Sequence, residues 1–330
     1  MKNLKKIQIV LAAACLVMFT MQSCSKKEEG CNDSSACNFN ADAEENDGSC
    51  TYATKWYADA DGDGLGDASS SVEACDKPSG YVSNSNAPTG PVVAKKQRAV
   101  VTYVGATWCP PCGAYGDPTK IYMEDTYGED VVILSVQSGD DISQSGAFGP
   151  KFGNVFQSAR NVSSIPHIYY SGSDFTMVDQ GFYGSAATNN SNADASVTAI
   201  MALDPEVGVA AEASIEGNVV TVNTASKFYA AGGEHFIGVY LMEDNVQNSQ
   251  AGSSSTDHDN VMRAGASTGS GSLGTVSLGT SFTANQEVRG TYTINVPNTV
   301  VDNANLKVAV VVWSSDDAEG VSNAILVHMD

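Results

Sequence analysis

The stretch of sequence that decides the fold is residues 98–112, which read RAVVTYVGATWCPPC. Residues 98–105 are largely apolar and rich in β-branched side chains, a pattern that is typical of a buried strand. A short turn then leads to Cys109 and Cys112, and we expect this pair to open a helix. At a helix N-terminus the dipole and the free N–H groups favour thiolate over thiol at Cys109. Cys112 stands one turn further on, close enough to resolve a mixed disulfide.

This order of strand, turn and Cys-x-x-Cys resembles the thioredoxin family, and Trp108 directly before the first cysteine strengthens the resemblance. In that family an Ile-Pro before a strand holds a cis proline that faces the Cys pair, and Pro166 fits this position. The resemblance implies that Cys109 attacks, that Cys112 resolves, and that Trp108 and Pro166 shape a substrate groove. The chain departs from the family at Tyr103, where a buried acid usually assists proton transfer, because a tyrosine is a poor base at neutral pH.

Further elements downstream complete a predicted domain over residues 92–204. The hydrophobic pattern predicts a strand, a helical stretch, two strands and a closing helix, at residues 131–136, 145–160, 164–170, 175–182 and 194–203. Three interpretations of Cys109 and Cys112 remain open: a working dithiol and disulfide pair, a fixed structural disulfide on a binding domain, and a zinc half-site. The zinc site is disfavoured because no second Cys pair or His pair stands at ligand spacing.

The composition excludes one class of partner and indicates the compartment. The chain has 330 residues, with 38 acidic and 17 basic side chains and a net charge of −21. Such an acidic surface repels phosphate backbones, so nucleic-acid binding is excluded. Eight cysteines are too many for incidental use in a reducing cytosol, so we expect an exported protein.

The N-terminus carries an export signal that ends at a cysteine. Lysines at positions 2, 5 and 6 precede a mostly apolar run over residues 7–21, which is too short for a comfortable membrane span. Residues 21–24, MQSC, resemble a bacterial lipobox, which implies cleavage of residues 1–23 and lipidation of Cys24. The alternative is an ordinary secretory peptide that retains Cys24.

A charged tether, residues 24–30, follows the predicted anchor. As chemistry alone it is a solvated, disordered linker. It also resembles the Lys- and acid-rich tethers that direct Bacteroidetes lipoproteins to the cell surface. The resemblance implies an outer-membrane lipoprotein, held in the outer membrane by its lipid anchor, on the cell surface rather than the periplasmic face.

Residues 31–90 form a small module of different composition, rich in Asp, Asn, Ser, Gly and Cys and poor in aliphatic side chains. So few apolar side chains cannot build a core, so the module needs disulfides or metal. In an oxidising compartment an even set of four cysteines predicts two structural disulfides, with three connectivities open, among Cys31, Cys37, Cys50 and Cys75.

The same module carries a candidate calcium loop, DADGDGLGD at residues 59–67. Carboxylates at alternate positions with glycines between them let a chain curl around one hard cation. The predicted ligands of a structural calcium ion are Asp59, Asp61, Asp63 and Asp67. Position 12 of the loop is Ser70 instead of the bidentate Glu of an EF-hand, and the segment resembles thrombospondin type 3-like calcium repeats. The alternative is an acidic spacer without a site.

Residues 205–330 change to short alternating segments with polar turns and a Ser/Gly-rich loop over residues 249–272. About seven strands with a period of two predict an antiparallel β-sandwich of immunoglobulin-like type. Gly217 and Asn218 form a predicted hairpin turn. The predicted fold class is therefore α/β plus all-β: a thioredoxin-like domain and a sandwich, preceded by the Cys-rich module.

The order of these features resembles the Bacteroidetes outer-membrane lipoproteins related to the 28-kilodalton outer-membrane antigen. GVYLMED at residues 238–244 and HDNVMRA at residues 258–264 carry the resemblance in the C-terminal segment. We expect a surface-anchored thiol-disulfide oxidoreductase acting on extracytoplasmic protein thiols, without an organic cofactor. The alternative is a non-catalytic adhesion or binding lipoprotein for an unknown surface ligand, in which Cys109–Cys112 is a structural disulfide.

Overall fold

The computed structural model describes residues 27–59, 66–85, 90–139, 142, 148–171, 177–181, 184–266, 268–269, 271, 273–300, 302–315 and 320–329. The chain is mostly β with few helices and divides into two compact units, Met1–Pro88 and Thr89–Asp330. The predicted signal segment and Cys24 lie outside the described residues, as do Asp61 and Asp63. No helix within these ranges is both long and apolar enough to cross a membrane.

The first unit consists of short strands held by disulfides. Strands β1 and β2 pair in parallel and β4-β3-β5 form an antiparallel sheet, with bounds Glu29–Gly30, Glu45–Asn46, Thr54–Ala58, Asp67–Ala74 and Tyr81–Val82 in chain order. In the part of this unit that the structure describes, only Cys31 and Ala36 are buried apolar side chains. The predicted disulfide bonding is confirmed, with Cys31 bonded to Cys50 and Cys37 bonded to Cys75. Each crosslink stabilises the fold by about 3 kcal/mol, which the small core does not provide.

In the residues that the structure describes, the second unit has three α-helices and the remaining strands. The helices α1 to α3 span Asp117–Tyr127, Phe148–Ala159 and Ala186–Met201. Strands β6 to β12 span Ala99–Gly105, Val131–Gln137, His167–Ser171, Met177–Gly181, Val207–Glu216, Val219–Phe228 and His235–Glu243. Strands β13 to β19 span Val246–Gln247, Asp257–His258, Val261–Gly265, Val276–Gly279, Gln286–Asn295, Leu306–Trp313 and Val321–His328.

Strand β6 lies inside a nine-stranded sheet of order β19-β18-β12-β15-β7-β6-β8-β9, with β16 also paired to β12. It runs parallel to β7 and antiparallel to β8. Its side chains alternate between two cores, as expected for a strand buried on both faces. Tyr103 packs with Met123 of α1 and Val197 of α3, whereas Val104 packs with Phe152 of α2. The helices therefore cover both faces of this part of the sheet.

Strand β15 joins the two halves of the second unit. It pairs antiparallel with β12 and makes one parallel pairing with β7, Val261 beside Ser135. The predicted boundary at residues 204 and 205 thus lies inside one compact unit, and the segments on both sides of it contribute strands to one sheet. The expectation that residues 249–272 form a loop is wrong at residues 261–265, which form strand β15. Five strand residues within a Ser/Gly-rich stretch give little local signal, because their partners come from distant segments.

A second layer covers the C-terminal half of the large sheet. Strands β10, β11 and β17 form an antiparallel three-stranded sheet, and the turn at Gly217 joins β10 to β11 as predicted. Alternate residues of β12 and β18 face this layer, with Val239 and Val310 packed against Val222. Their neighbours Tyr240 and Val311 face the other way, into the core that contains Phe152 of α2. The closing helix also begins earlier than predicted, at Ala186.

Candidate redox site

Cys109 and Cys112 lie where the chain leaves the central strand β6 and enters a helix. The helical conformation begins at Pro110, and Cys112–Gly116 form a wide π turn that continues into α1. The two cysteines are joined by a disulfide, with their Cα atoms 5.3 Å apart. Only 3% of Cys109 and 1% of Cys112 is exposed. The pair is therefore oxidised and almost completely covered.

Backbone groups around Cys109 favour negative charge on its sulfur. The Cys112 N–H points at Cys109 Sγ at 3.2 Å and also at the Cys109 carbonyl oxygen at 3.1 Å, and the pair stands in the first turn of a helix, at the positive end of its dipole. When the disulfide is opened, this donor and the helix dipole stabilise a thiolate at Cys109 more than at Cys112. This asymmetry suits Cys109 to be the sulfur that exchanges with a partner thiol.

The segment before β8 packs directly against the pair. The Ile165–Pro166 peptide bond is cis, and Pro166 is buried. The carbonyl oxygen of Ile165 is 3.7 Å from Cys109 Sγ, and the Ile165 side chain packs on both cysteines. The structure thus brings the region of Pro166 together with Cys109 and Cys112, although these residues are more than fifty positions apart.

Trp108 lies at the edge of the site with its ring in solvent. Its side chain is 58% exposed, and its Nε1 donates a hydrogen bond of 3.2 Å to the carbonyl oxygen of Ser138. Ser138 is held in turn by a bond from its N–H to the Gly105 carbonyl. An exposed indole fixed at one end offers an apolar surface beside the disulfide for a partner chain.

Tyr103 belongs to strand β6, and its ring lies against Gly116 of the π turn. A Cβ atom on Gly116 would stand 2.4 Å from the Tyr103 hydroxyl oxygen, so only glycine leaves room for this ring. Burial raises the pKa of Tyr103 well above its ordinary value, and the nearby Asp117 carboxylate raises it further. Tyr103 therefore keeps its proton at neutral pH and does not act as a general base.

A loop from the C-terminal half closes the site, and sequence reasoning missed it. The Gln250 side-chain Nε2 donates to the carbonyl oxygens of Ala106 (3.2 Å) and Cys109 (3.1 Å). The Ala251 N–H donates to the Thr107 carbonyl at 2.8 Å. No local signal could have identified Gln250, because it stands in a Ser/Gly-rich stretch about 140 residues from the cysteines.

Two of the predicted calcium ligands, Asp59 and Asp67, flank a connection between antiparallel strands β3 and β4. The Asp59 N–H donates to Gly80, and Asp67 accepts bonds from Ser69 that lower the pKa of its carboxyl group. Asp61 and Asp63 fall outside the described residues. In the described ranges, no group of three or more His, Cys, Asp or Glu side chains is arranged to hold a metal ion.

A separate cavity of about 350 Å³ lies at the C-terminal end of α1. Its carboxylates already have partners: Asp244 and Asp259 accept bonds from the backbone N–H groups of Asn260 and Asn245, and Lys307 pairs with Asp244 at 2.7 Å. The half-buried Glu124 carboxyl, whose pKa is raised mainly by desolvation, accepts a hydrogen bond from the Asn260 side chain. We interpret these polar side chains as stabilising the turns that line the cavity, not as a ligand site.

Comparisons with known proteins give a likeness among solved structures. No family model matches the chain, and no curated protein is similar to it in sequence. Among solved structures, HBP35 of Porphyromonas gingivalis superposes with a TM-score of 0.59 at 16% identity, over 72% of this chain and 76% of that chain. At this identity the likeness establishes a shared fold and nothing further about function.

Proposed function

We propose that this protein is an envelope- or surface-anchored thiol-disulfide oxidoreductase that acts on extracytoplasmic proteins. The observation that carries the proposal is the Cys109–Cys112 disulfide at the start of a helix, with the Cys112 N–H on Cys109 Sγ and the Ile165 carbonyl beside it. The N–H donor and the start of the helix distinguish the two sulfurs, so that Cys109 takes the partner and Cys112 leaves.

The exchange proceeds through a mixed disulfide. A substrate thiolate attacks Cys109 Sγ, the Cys109–Cys112 bond breaks, and Cys112 leaves as a thiolate that takes up a proton. A second substrate thiolate attacks the substrate sulfur of the mixed disulfide, which forms the substrate disulfide and releases Cys109. Two electrons pass from the substrate dithiol to the pair. In the opposite direction Cys109 attacks a substrate disulfide and Cys112 resolves the intermediate.

We assign the N-terminal half of the second unit to a thioredoxin-like fold. The strand order β7-β6-β8-β9, with α1 and α3 on one face and α2 on the other, supports this assignment. The layer of β10, β11 and β17 on β12, β18 and β19 supports an immunoglobulin-like sandwich appended to it. In this proposal the two domains share strands of one sheet, joined through β15.

The location and the small module complete the proposal. The lipobox at residues 21–24 supports lipidation of Cys24 and attachment to the outer membrane, and the tether supports the outer face. A structural calcium ion between β3 and β4 would draw on Asp59, Asp61, Asp63 and Asp67, whose carboxylates suit a hard cation. Membership of the 28-kilodalton antigen group fits the order of these parts.

The second candidate function is a non-catalytic binding lipoprotein with a fixed crosslink. The observation that favours it is the burial of both cysteines, with Gln250 bonded to the Cys109 carbonyl and Ile165 packed beside the pair. A disulfide that no partner can reach stabilises a fold and does not exchange. The sandwich would then carry the binding surface.

The reduction potential of the Cys109–Cys112 pair separates the two functions. The full chain is equilibrated in glutathione buffers, alkylated and digested, and the peptide with the pair is quantified by mass spectrometry. The Cys31–Cys50 disulfide in the same sample is the internal control. A value of roughly −120 to −270 mV supports the oxidoreductase. A bond that stays closed below about −300 mV contradicts it and supports the binding protein.

A further inference from the structure

Residues 248–256, which we name the cover loop, connect the short strands β13 and β14. The loop begins and ends at one place, because the Asn248 N–H donates to the Thr256 carbonyl at 2.9 Å. Apart from Gln250, which is buried, its central residues are largely exposed. The loop is therefore a surface feature that is held at its base and, through Gln250 and Ala251, on the turn that carries the cysteines.

The contact between the cover loop and the Cys pair leaves no room for a larger atom. A Cβ on Gly252, whose φ is +83°, would stand 2.1 Å from the Pro110 carbonyl oxygen. A Cβ on Gly113 would stand 2.4 Å from the Ala251 carbonyl oxygen. Glycine at both positions lets the backbone of the loop rest on the backbone of the Cys-Pro-Pro-Cys turn.

Three hydrogen bonds fasten the loop to the turn. Two come from the Gln250 side chain to the carbonyls of Ala106 and Cys109, and one comes from the Ala251 N–H to Thr107. All three carbonyls belong to the turn that presents the cysteines. With the loop in this position only 3% of Cys109 and 1% of Cys112 is exposed, too little for a protein thiol to reach either sulfur.

We propose that the cover loop is a built-in gate: the Cys109–Cys112 disulfide exchanges only after the Gln250 and Ala251 bonds break and the loop leaves the turn. This inference rests on the proposed oxidoreductase function and describes its regulation. The exchange rate then follows the fraction of molecules in which the loop is open. The few anchoring bonds and the exposed remainder of the loop allow it to open without unfolding either core.

The test measures the rate at which excess dithiothreitol reduces the pair in the full chain, by quenching with an alkylating reagent and quantifying the Cys109–Cys112 peptide. Gln250→Ala removes two of the three bonds without strain, and we expect a rise in the rate of roughly tenfold or more, since each lost bond multiplies the open fraction several times. Gly252→Ala pushes the loop off Pro110 and should give at least as large a rise.

The matched control is Gly217→Ala in the turn between β10 and β11. Gly217 also has a positive φ, +60°, but a Cβ there would meet nothing within 4 Å. It carries the same backbone strain without touching the site, so its rate should equal that of the wild type. Should Gly252→Ala not fold, Gln250→Ala alone decides the question.

The reduction rates of the variants test the gate independently of the reduction potential of the pair. Faster reduction in the Gln250 and Gly252 variants, with an unchanged Gly217 variant, supports the gate whatever the potential is. Equal rates in the wild type and both loop variants overturn it, as would a rise in the Gly217 variant of the same size. A potential in the structural range rejects the oxidoreductase function separately, because that is an equilibrium measurement.

Discussion

The buried ion pair between Arg263 and Glu243 offers the most decisive test of the packing between β12 and β15. Arg263 Nε donates to Glu243 Oε2 at 2.6 Å, and the two side chains are only 4% and 2% exposed. Arg263 Nη1 also donates to the Ile142 carbonyl at 3.0 Å. Removal of one partner leaves the other charge buried, which costs much more than the pair contributes in net stability.

We expect Arg263→Met to lower the free energy of unfolding by about 3 to 5 kcal/mol, with a similar loss for Glu243→Leu. For a unit of this size that loss corresponds to a fall in melting temperature of roughly 6 to 20 °C. The double variant, with both charges replaced by apolar side chains, should recover most of the loss and lie within about 2 kcal/mol of the wild type.

Urea unfolding of the four proteins, followed by tryptophan fluorescence and far-ultraviolet circular dichroism, gives the free energies. Lys95→Met is the control, because the Lys95–Asp204 pair is exposed, and its removal should cost less than about 1 kcal/mol. The reasoning is refuted if Arg263→Met is no more destabilising than Lys95→Met, or if the losses of the two single variants simply add in the double variant.

Three further predictions concern stability elsewhere in the second unit. Asn323→Ala should cost at least about 2 kcal/mol in urea unfolding, because the buried amide of Asn323 makes three bonds to two separate segments, at the backbone of residues 96 and 98 and of residue 207; a loss below about 0.5 kcal/mol would contradict this. Gly116→Ala should cost about 1 to 3 kcal/mol through its clash with the Tyr103 hydroxyl, and adding Tyr103→Phe should restore part of the loss; no restoration would argue against that contact. Burial lowers the pKa of His235 below its ordinary value of 6.5, so the unfolded chain binds a proton more readily. Stability should therefore fall as the pH drops through 6.5 toward the folded-state pKa; melts of His235→Phe should show a smaller fall over that window, and an identical pH profile would exclude this cause.

The elements of the second unit could largely be predicted from the sequence. The runs at residues 99–105, 131–137 and 306–313 are largely apolar and rich in valine, and each is a strand buried on both faces. Their pattern is local, so it appears in the sequence without knowledge of their partners. Glycine at position 217 likewise indicates its hairpin turn, since the turn requires a positive φ there.

The pairing between halves of the chain could not be predicted. Strand β15 has five residues, and its place between β12 and β7 depends on partners about 20 and 125 positions away in sequence. The core that contains Phe152 of α2 and Trp313 of β18 joins segments that we expected to form separate domains. Binary patterning identifies a face that must be buried but does not say which distant face covers it.

By itself, the sequence determined the acidic charge, the presence of disulfides, the mostly β character and the placement of Cys109 and Cys112 after a buried strand. Each of these depends on composition or on neighbours within a few residues. Only the tertiary structure decided the connectivity of the first-unit disulfides, the single sheet through β15 and the cover loop on the Cys pair. These depend on contacts between segments far apart in the chain. Such contacts form together, because the loss of chain entropy on folding is offset by all of them jointly. A local sequence pattern carries no information about which distant segments meet.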